Sequence, residues 1–483
     1  MAENSDDHAL IYQLEGRPPL RAAIPIGLQH VFAMFIGNLA PILVLSGLVN
    51  HATGMPIISP DQRMLMIQCC MFASGLATIL QLYPIKIANV RWKLRCEIQI
   101  GSGLPIVMGT SFGFVPTLSS IGIEYGINVI LGSVIAASFV EIFMGLFIKH
   151  LKRFFSPIVI GSVLMSIGLY LLPVGVTYFA GGSAAENAYK VRQSLLAQGQ
   201  EVPANVAALA LQFASWQNLV MGGVVFLVII ILQRFAKGIL KASAMFIAIA
   251  AGYILAIILG QINFTAVANA DIIAIPMPYS IKPEFLPGPI IAMAIMVVVS
   301  GIETIGHVNG MTMAVWDRQA ENKETQGALL ADFAGNLIAA SFNTLPNTSF
   351  GQNIGMVSMS KVVNKFCIFI TALVLILAGL SPKIGAALSV MPSSVLGGAV
   401  ITVFAMIMLN GIKMIAKEGF SERNILILSI TFGAGYSIGA NRLLVESLPL
   451  VLRYIFINPT VAVFVIAMLL NLIFPQPKEK SIK

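Results

Sequence analysis

Thr110-Ser111-Phe112-Gly113 and Thr348-Ser349-Phe350-Gly351 repeat one string at positions 238 residues apart, close to half of the 483-residue chain. Each copy interrupts a short apolar stretch, near 97–116 or 349–364, that also contains Gly and polar residues. Each copy also has a proline upstream of it, Pro105 or Pro346. Thr-Ser-Phe favours extended backbone over helix. We therefore expect two short strands that pair with each other and leave helix ends beside them.

The composition sets the class of protein around this repeat. Hydrophobic residues make up 57% of the chain and charged residues only 10%, whereas soluble proteins carry about 25% charged residues. This excludes a soluble enzyme, a nucleic-acid binder and a disordered scaffold, and indicates an integral membrane protein. Four cysteines, Cys69, Cys70, Cys96 and Cys367, lack metal-ligand or disulfide spacing and are interpreted as core residues.

The apolar stretches predict an all-α polytopic membrane protein with 14 transmembrane segments. Twelve stretches approach the length of about 20 residues that crosses the hydrocarbon: 22–47, 63–83, 126–148, 154–176, 215–233, 240–261, 288–314, 327–345, 366–381, 393–412, 423–441 and 457–475. The two short stretches complete the count as segments 3 and 10. Seven spans separate them, and because seven is odd the two seven-helix halves have inverted orientations.

The basic residues support this count and fix the orientation. With both termini in the cytoplasm, 22 of the 29 Lys and Arg residues fall in inner loops, as the positive-inside rule requires. The segment before the first span is acidic (Glu3, Asp6 and Asp7) and lacks the basic region of a signal peptide. We therefore expect a multi-pass protein of the cell membrane that enters the bilayer near Ala22.

Paired, interrupted hydrophobic segments in two inverted halves point to a transporter's substrate site. Irregular backbone is tolerated at membrane depth only where it lines a cavity or is buried in protein. Ionisable residues inside the membrane are costly and are site candidates for the same reason. They are His30, Glu141, Glu303, His307 and Asp332.

Glu303 and His307 lie four residues apart, on one helix face, where they can hydrogen-bond and share a proton. Asp332 is interpreted either as a binder of the coupling proton or as a tie between helices. His30 is interpreted as a packing hydrogen-bonder near the site, with direct ligation as the alternative. Glu141 is expected to be structural and to reach the membrane interface.

Gln352 and Asn353 open the helix after the second predicted strand. A carboxamide offers a donor and an acceptor side by side, which matches the edge of a nucleobase, and a carboxylate at Glu303 would accept from ring N–H groups. A simple inorganic anion would instead favour positive helix ends without a carboxylate. The alternative is that Gln-Asn merely caps the helix.

The sequence resembles the nucleobase–ascorbate transporters, also called nucleobase:cation symporters. The resemblance rests on Gln352-Asn353-Ile354-Gly355 with Ser360, Val362, Asn364 and Lys365, where the family signature has Gln-Asn-x-Gly and then Thr, Val, Ser and Arg. Further matching stretches cover about residues 20–475: Gly27-Leu28-Gln29-His30, Gly101-Ser102-Gly103, Leu330-Ala331-Asp332, Pro346 to Phe350 and Pro392 to Gly398.

The resemblance implies 14 helices divided into a core domain and a gate domain. Helices 1–4 and 8–11 form the core (22–150 and 288–381), which carries substrate. Helices 5–7 and 12–14 form the gate (151–287 and 382–475), against which the core slides as an elevator. Cytoplasmic tails, 1–21 and 476–483, complete the chain.

The resemblance also implies the roles of residues. Glu303 and Gln352 are the paired side-chain ligands of the base, and backbone groups of Phe112 and Gly351 complete the site. Ser111 falls where xanthine-type members often carry Asn. Asp332, His30, His307 and Asn353 support the site or couple it to protons.

Two positions in this resemblance point to different substrates. His307, four residues after the glutamate, is similar to uracil permeases, whereas Gln352 is similar to xanthine and urate permeases. We favour an oxidised purine, imported with protons, over uracil; sodium stays open as the coupling ion. No cofactor, metal or nucleic-acid partner is expected. We expect a homodimer that forms through the gate domain.

The rival interpretations are an anion exchanger of the sulfate-permease type, a channel and an intramembrane enzyme. For the enzyme, the sequence offers no nucleophile–base pair or metal cluster that we can identify.

Overall fold

The structure is a computed structural model that describes residues 10–53, 57–87, 98–147, 156–449, 452–453, 456 and 458–474. Several sequence predictions fall outside these ranges: those for Cys96, for the acidic residues Glu3, Asp6 and Asp7, for the tail 476–483, and for the basic residues Arg91, Lys93, Arg95, Lys149, Lys152 and Arg153.

Helices make up most of the described chain. In the first half they are α1 (Leu20–Thr53), α2 (Pro60–Leu82), α3 (Val115–Tyr125), α4 (Ile127–Leu146), α5 (Pro157–Phe179), α6 (Ser183–Ala197), α7 (Ala204–Ala210), α8 (Trp216–Phe235), α9 (Gly238–Ala242), α10 (Ala244–Ile258) and α11 (Thr265–Asn269).

In the second half they are α12 (Pro287–Trp316), α13 (Asn322–Ser341), α14 (Gly351–Ser360), α15 (Lys365–Gly379), α16 (Pro382–Ser389), α17 (Ser393–Glu418), α18 (Glu422–Ile430), α19 (Ser437–Ala440), α20 (Arg442–Ser447) and α21 (Pro459–Ile473). A π-helical turn, Thr431–Tyr436, joins α18 to α19, and 3-10 turns lie at Leu10–Tyr12 and Phe112–Phe114.

Seven of the described helices are long and apolar enough to cross a membrane: α1, α2, α4, α5, α8, α12 and α17. A further pair, α15 and α16, passes the same test together but bends by 81° at the break between them. Two shorter apolar helices, α10 and α21, add to these. The chain is therefore a multi-pass membrane protein.

Local sequence explains where individual helices begin. The Ser59 hydroxyl accepts a hydrogen bond from the Gln62 amide, and the Gln62 side-chain oxygen accepts one from the Ser59 amide, which makes a capping box. Pro60 takes the first position of α2. Pro157 begins α5 in the same position. Proline suits this place because its missing N–H is one that helix starts leave unpaired.

Four three-residue strands form two small antiparallel sheets. β1 (Ile85–Ile87) pairs with β2 (Ile98–Ile100), and β3 (Met108–Thr110) pairs with β4 (Asn347–Ser349). In the second sheet Gly109 faces Thr348. The repeated strings thus meet in space. The first string begins at Thr110, the last residue of β3, and the second begins at Thr348, inside β4; both continue into the helical turn that follows.

The helices pack in two groups around this sheet. In the first, α2 packs on α15 and α13, and α4 packs on α12 and α13. In the second, α17 packs along α5 and α8, and α8 packs on α10. Helices α5 and α17 approach each other closely, since a Cβ on Gly411 would lie 2.5 Å from the Gly161 carbonyl oxygen. Small residues allow such contact between membrane helices.

The segment before α1 folds back onto the start of α15. The Asn364 carboxamide donates to the carbonyl oxygens of Leu10 (3.0 Å) and Gln13 (3.1 Å), and Lys365 forms an ion pair with Glu15. Two positions of the family signature therefore anchor the N-terminal segment.

Candidate functional site

A cavity of about 590 Å³ lies where the β3–β4 sheet and α12 face α5 and α17. It is lined by all five residues that the sequence predicts as substrate ligands, namely Glu303, Gln352, Phe112, Gly351 and Ser111, and by His307. The volume lies within the range typical of small-molecule sites. One cavity thus brings together residues that are up to 241 positions apart in the chain.

The start of α14 supplies hydrogen-bond donors to this cavity. The amides of Asn353 and Ile354 bond to the Phe350 carbonyl (3.1 and 3.3 Å), so the first helical turn closes behind Gly351 and Gln352. The amides of Gly351 and Gln352, which precede these two bonds, belong to the first-turn amides that have no partner within their own helix. The aligned peptide dipoles make this end electropositive. Gln352 is itself exposed to the cavity.

Glu303 and His307 share one face of α12, and both are partly exposed. His307 Nε2 lies 3.9 Å from Glu303 Oε1, which is too long for a hydrogen bond. The two side chains, which the sequence predicts can hydrogen-bond, therefore lie at ion-pair distance without a direct hydrogen bond in this conformation. His307 Nδ1 instead lies 2.9 Å from the Ser349 hydroxyl, because β4 runs directly alongside this turn of α12.

Hydroxyl groups continue from His307 into the protein interior. The Ser349 Oγ is 3.0 Å from the Thr304 Oγ1, and Thr304 donates to Asp332 Oδ2 at 2.5 Å. Asp332 is fully buried and lies behind the cavity wall. A continuous chain of hydrogen-bonding groups therefore joins the cavity to a buried carboxyl group.

Glu141 is fully buried in α4 and does not reach the membrane interface, so that expectation is corrected. Asn336 of α13 donates to Glu141 Oε2 at 2.9 Å, and the close packing of α4 on α13 covers the side chain. The sequence gives the depth of a residue along its helix. It does not show which neighbour the side chain faces, and here a carboxamide partner replaces water.

His30 is buried and hydrogen-bonded to Asn353. The Asn353 Nδ2 is 3.0 Å from His30 Nδ1 and 3.1 Å from the His30 carbonyl oxygen. Both residues lie outside the cavity lining. Their contact joins α1 to the first turn of α14. The geometry thus matches the interpretation of His30 as a packing hydrogen-bonder.

Phe112 and Ser111 line the cavity at the turn that follows β3. The Phe112 ring lies edge-on to Phe404 of α17, with centroids 5.1 Å apart, and is nearly buried. Ser111 Oγ accepts from the Gly113 amide at 3.1 Å, so it caps the 3-10 turn.

Two buried asparagines that hold the strands were not assigned to the site from the sequence. Asn38 of α1 accepts the Thr110 amide at 2.7 Å, and Asn336 accepts the Asn347 amide, also at 2.7 Å. Each strand end is thereby fixed to a helix. Their position as polar residues inside apolar spans is the sequence signal that could have assigned them to the site.

Lys413 and Asn410 of α17 also line the cavity. From the sequence, Lys413 counts only as an inner-loop cation and Asn410 carries no assignment. The helix extends to Glu418, beyond the predicted span end at 412, and this extension brings Lys413 into the cavity lining.

The sequence matches the model of the Permease family over residues 21–206 and 199–442. The chain belongs to this family, which confirms the resemblance drawn from its motifs. Among its relatives, it is 30% identical to the xanthine permease of Bacillus subtilis, covering 93% of each chain. It is 30% identical to the xanthine permease XanP of Escherichia coli, covering 97% of this chain and 96% of that one.

It is also 31% identical to the uric acid permease PucK of Bacillus subtilis, covering 85% of this chain and 86% of that one.

Solved structures show that the fold is shared with other transporters. The murine Solute Carrier 26 family member A9 anion transporter, in its inward-facing state, matches with a TM-score of 0.61 at 12% identity, covering 93% of this chain and 68% of that one. The transmembrane domain of the cyanobacterial bicarbonate transporter BicA matches with a TM-score of 0.52 at 14% identity, covering 91% and 97%.

Proposed function

We propose that the chain is a proton-coupled symporter that imports a nucleobase, an oxidised purine such as xanthine or urate. The observation that carries the proposal is the shared cavity of Glu303 and Gln352 beside the start of α14. The carboxylate accepts from ring N–H groups, and the carboxamide and first-turn amides serve the ring carbonyl and N–H edge. The names of the relatives, xanthine and uric acid permeases, support the same substrate class.

Proton coupling in this proposal uses the chain from His307 to Asp332. Substrate binding places ring N–H groups against Glu303, whose carboxylate accepts their hydrogen bonds. A proton then resides on His307 or passes through the Ser349 and Thr304 hydroxyls to Asp332. These groups are hydrogen-bonded in sequence at 2.9, 3.0 and 2.5 Å, so a short rotation of each hydroxyl suffices. Sodium is the competing choice of coupling ion.

Transport itself is proposed to occur by elevator movement. The two helix packing groups support a core domain of segments 1–4 and 8–11 and a gate domain of segments 5–7 and 12–14, in two inverted seven-helix repeats. The sheet that carries the site bridges the two core halves, so that substrate moves with the core. Both termini are then cytoplasmic, and the membrane is the cell membrane.

The conformation described here is proposed to be inward-facing. Lys413 lines the cavity and lies on the side that the basic residues assign to the cytoplasm.

A homodimer through the gate domain would supply the fixed frame that an elevator requires. Native mass measurement in detergent tests this, and a mass of one protomer contradicts it.

The deciding experiment is uptake of labelled xanthine into cells that express the chain, with urate, guanine, uracil and sulfate as unlabelled competitors. Saturable uptake that a protonophore blocks and purines compete supports the proposal. Competition by uracil alone favours a pyrimidine symporter, for which His307 is the guide. Competition by sulfate without base transport favours an anion exchanger, and non-saturable flux that ignores the protonophore favours a channel.

A further inference from the structure

A second cavity, of about 450 Å³, lies farther along α1 than the central site. Gly37 lines the central cavity, whereas Leu43, Gly47 and Asn50 line the second one. At a rise of 1.5 Å per residue, Leu43 is about 9 Å beyond Gly37. Because α1 begins on the proposed cytoplasmic side, the second cavity lies nearer the proposed outer side. Its volume is also sufficient for a small molecule. We name it the outer cavity.

Arg63 is the one charged side chain among the described residues that line the outer cavity. Its Nε is buried and has no hydrogen-bond partner within the described part of the chain. A partly buried guanidinium without an acceptor or a carboxylate is costly. An anion in the cavity would offset part of this cost by attraction to the guanidinium charge. Arg also suits planar acids, because its fork of N–H groups binds two acceptors in one plane.

The remaining lining provides neutral hydrogen-bonding groups for a planar heterocycle. The Asn187 and Asn205 carboxamides line the cavity beside Arg63. The Tyr178 hydroxyl donates to the carbonyl oxygens of Leu43 (2.9 Å) and Val44 (3.2 Å), and in this way holds α5 against α1. The cavity therefore lies between the proposed gate and core domains, where a substrate must pass before the core takes it up.

We propose that the outer cavity is an entry site for purines in anionic form, with Arg63 binding the negative charge. The ligand class is taken from the proposed function, on which this inference rests. Such a site raises the local concentration of anionic substrate and its rate of capture. A neutral purine gains little from it, so the expected effect is selectivity by charge rather than loss of transport.

The experiment compares urate with xanthine at mildly acidic pH, where urate is an anion and xanthine is neutral. Wild type, Arg63→Gln and Arg63→Lys are compared with Lys190→Gln. Lys190 is an exposed cation of α6 that pairs with Glu186 and lies outside the cavity lining. Urate is measured as a labelled substrate and as a competitor of xanthine uptake. Its binding to purified protein is measured by calorimetry.

We expect Arg63→Gln to weaken urate by about tenfold, in both KM and competition, with the maximal rate and the xanthine KM little changed. Arg63→Lys should keep most of the wild-type affinity for urate, and Lys190→Gln should keep all of it. Equal changes for both purines, no change for either, or a wild type on which urate neither acts nor competes would overturn the inference.

A measurement on wild type guards against misfolding of the variants. Added salt should raise the KM for urate and leave that for xanthine unchanged, since screening weakens charge attraction; an equal response of both purines contradicts the entry site. Failure of the proposed function is distinct, because wild type would then transport neither purine.

Discussion

The imidazole Nδ1 of His307 lies 2.9 Å from the Ser349 hydroxyl, although 42 residues separate them in the chain. This contact ties the charged face of α12 to the strand β4, and it turns the other ring nitrogen toward Glu303 and Gly351. A Cβ built on Gly351 would be 2.7 Å from His307 Nε2. The strand, the glycine and the histidine therefore fix one another's positions at the cavity.

Glu303→Gln should reduce base uptake by about a hundredfold while the protein still inserts and folds. The substitution removes the charge that accepts from ring N–H groups, and a lost charge-assisted contact in a desolvated site costs about two powers of ten in affinity. Labelled xanthine uptake is the measurement, with membrane abundance measured in parallel. Glu124→Gln is the control, since Glu124 pairs with Arg453 away from the cavity. Full uptake by Glu303→Gln would remove Glu303 from the site.

Ser349→Ala should disconnect His307 from Thr304 and Asp332. A lost hydrogen bond of this kind costs about 1 kcal/mol, so we expect uptake to fall by roughly fivefold to tenfold and its pH dependence to change. The measurement is initial uptake across a pH series, with proton flux followed by a pH-sensitive dye. Ser349→Thr keeps a hydroxyl and should restore both. If Ser349→Ala lowers uptake without altering pH dependence, Ser349 only positions the histidine.

The sequence predicts the chemical groups of the site better than it predicts their contacts. Glu303, His307 and Gln352 stand out because polar residues are rare in apolar spans, and all three line one cavity. The strand pairing follows from the repeated string. Which partner each group meets depends on packing between distant helices: His307 bonds Ser349 rather than Glu303, and Glu141 bonds Asn336 instead of reaching the interface. No local pattern carries that information.

The same limit explains the residues that the sequence left unassigned. Asn38 and Asn336 are buried polar residues of α1 and α13, and both accept from strand amides that become neighbours only in the fold. Lys413 and Arg63 count in the sequence as loop or span-end cations. Each lines a cavity because its helix extends beyond the apolar stretch or begins before it.

Gln352→Glu tests the residue that argues for a purine. A carboxylate has lost the N–H donors of the carboxamide, so the edge that it recognises differs. We expect preference to shift toward uracil, or uptake to be lost. Competition of xanthine uptake by uracil, guanine and urate gives the profile. A profile identical to that of wild type would exclude Gln352 as a ligand.

Gly351→Ala should reduce uptake by tenfold or more, because the added methyl group must displace His307 or the start of α14. This estimate corresponds to a cost of about 1.4 kcal/mol, within the range for overpacking. Gly355→Ala on the same helix is a matched control, since nothing lies within 4 Å of the Cβ that it adds. Uptake by both variants and their thermal unfolding in detergent are compared. Equal uptake by the two variants would contradict a constraint by His307.

Asn336→Leu should destabilise the fold by about 2–4 kcal/mol. The variant leaves both the buried Glu141 carboxylate and the Asn347 amide without the partners that they have at 2.9 and 2.7 Å. Glu141→Gln is the companion variant: it keeps an oxygen that accepts from Asn336, so it should be close to wild type in stability. Denaturant unfolding in detergent is the measurement, since a shift of the midpoint reports the free energy. If Asn336→Leu unfolds at the wild-type midpoint, this asparagine does not hold β4, and the strand must be fixed by the Thr304 and Thr348 hydroxyls, which lie 3.1 Å apart.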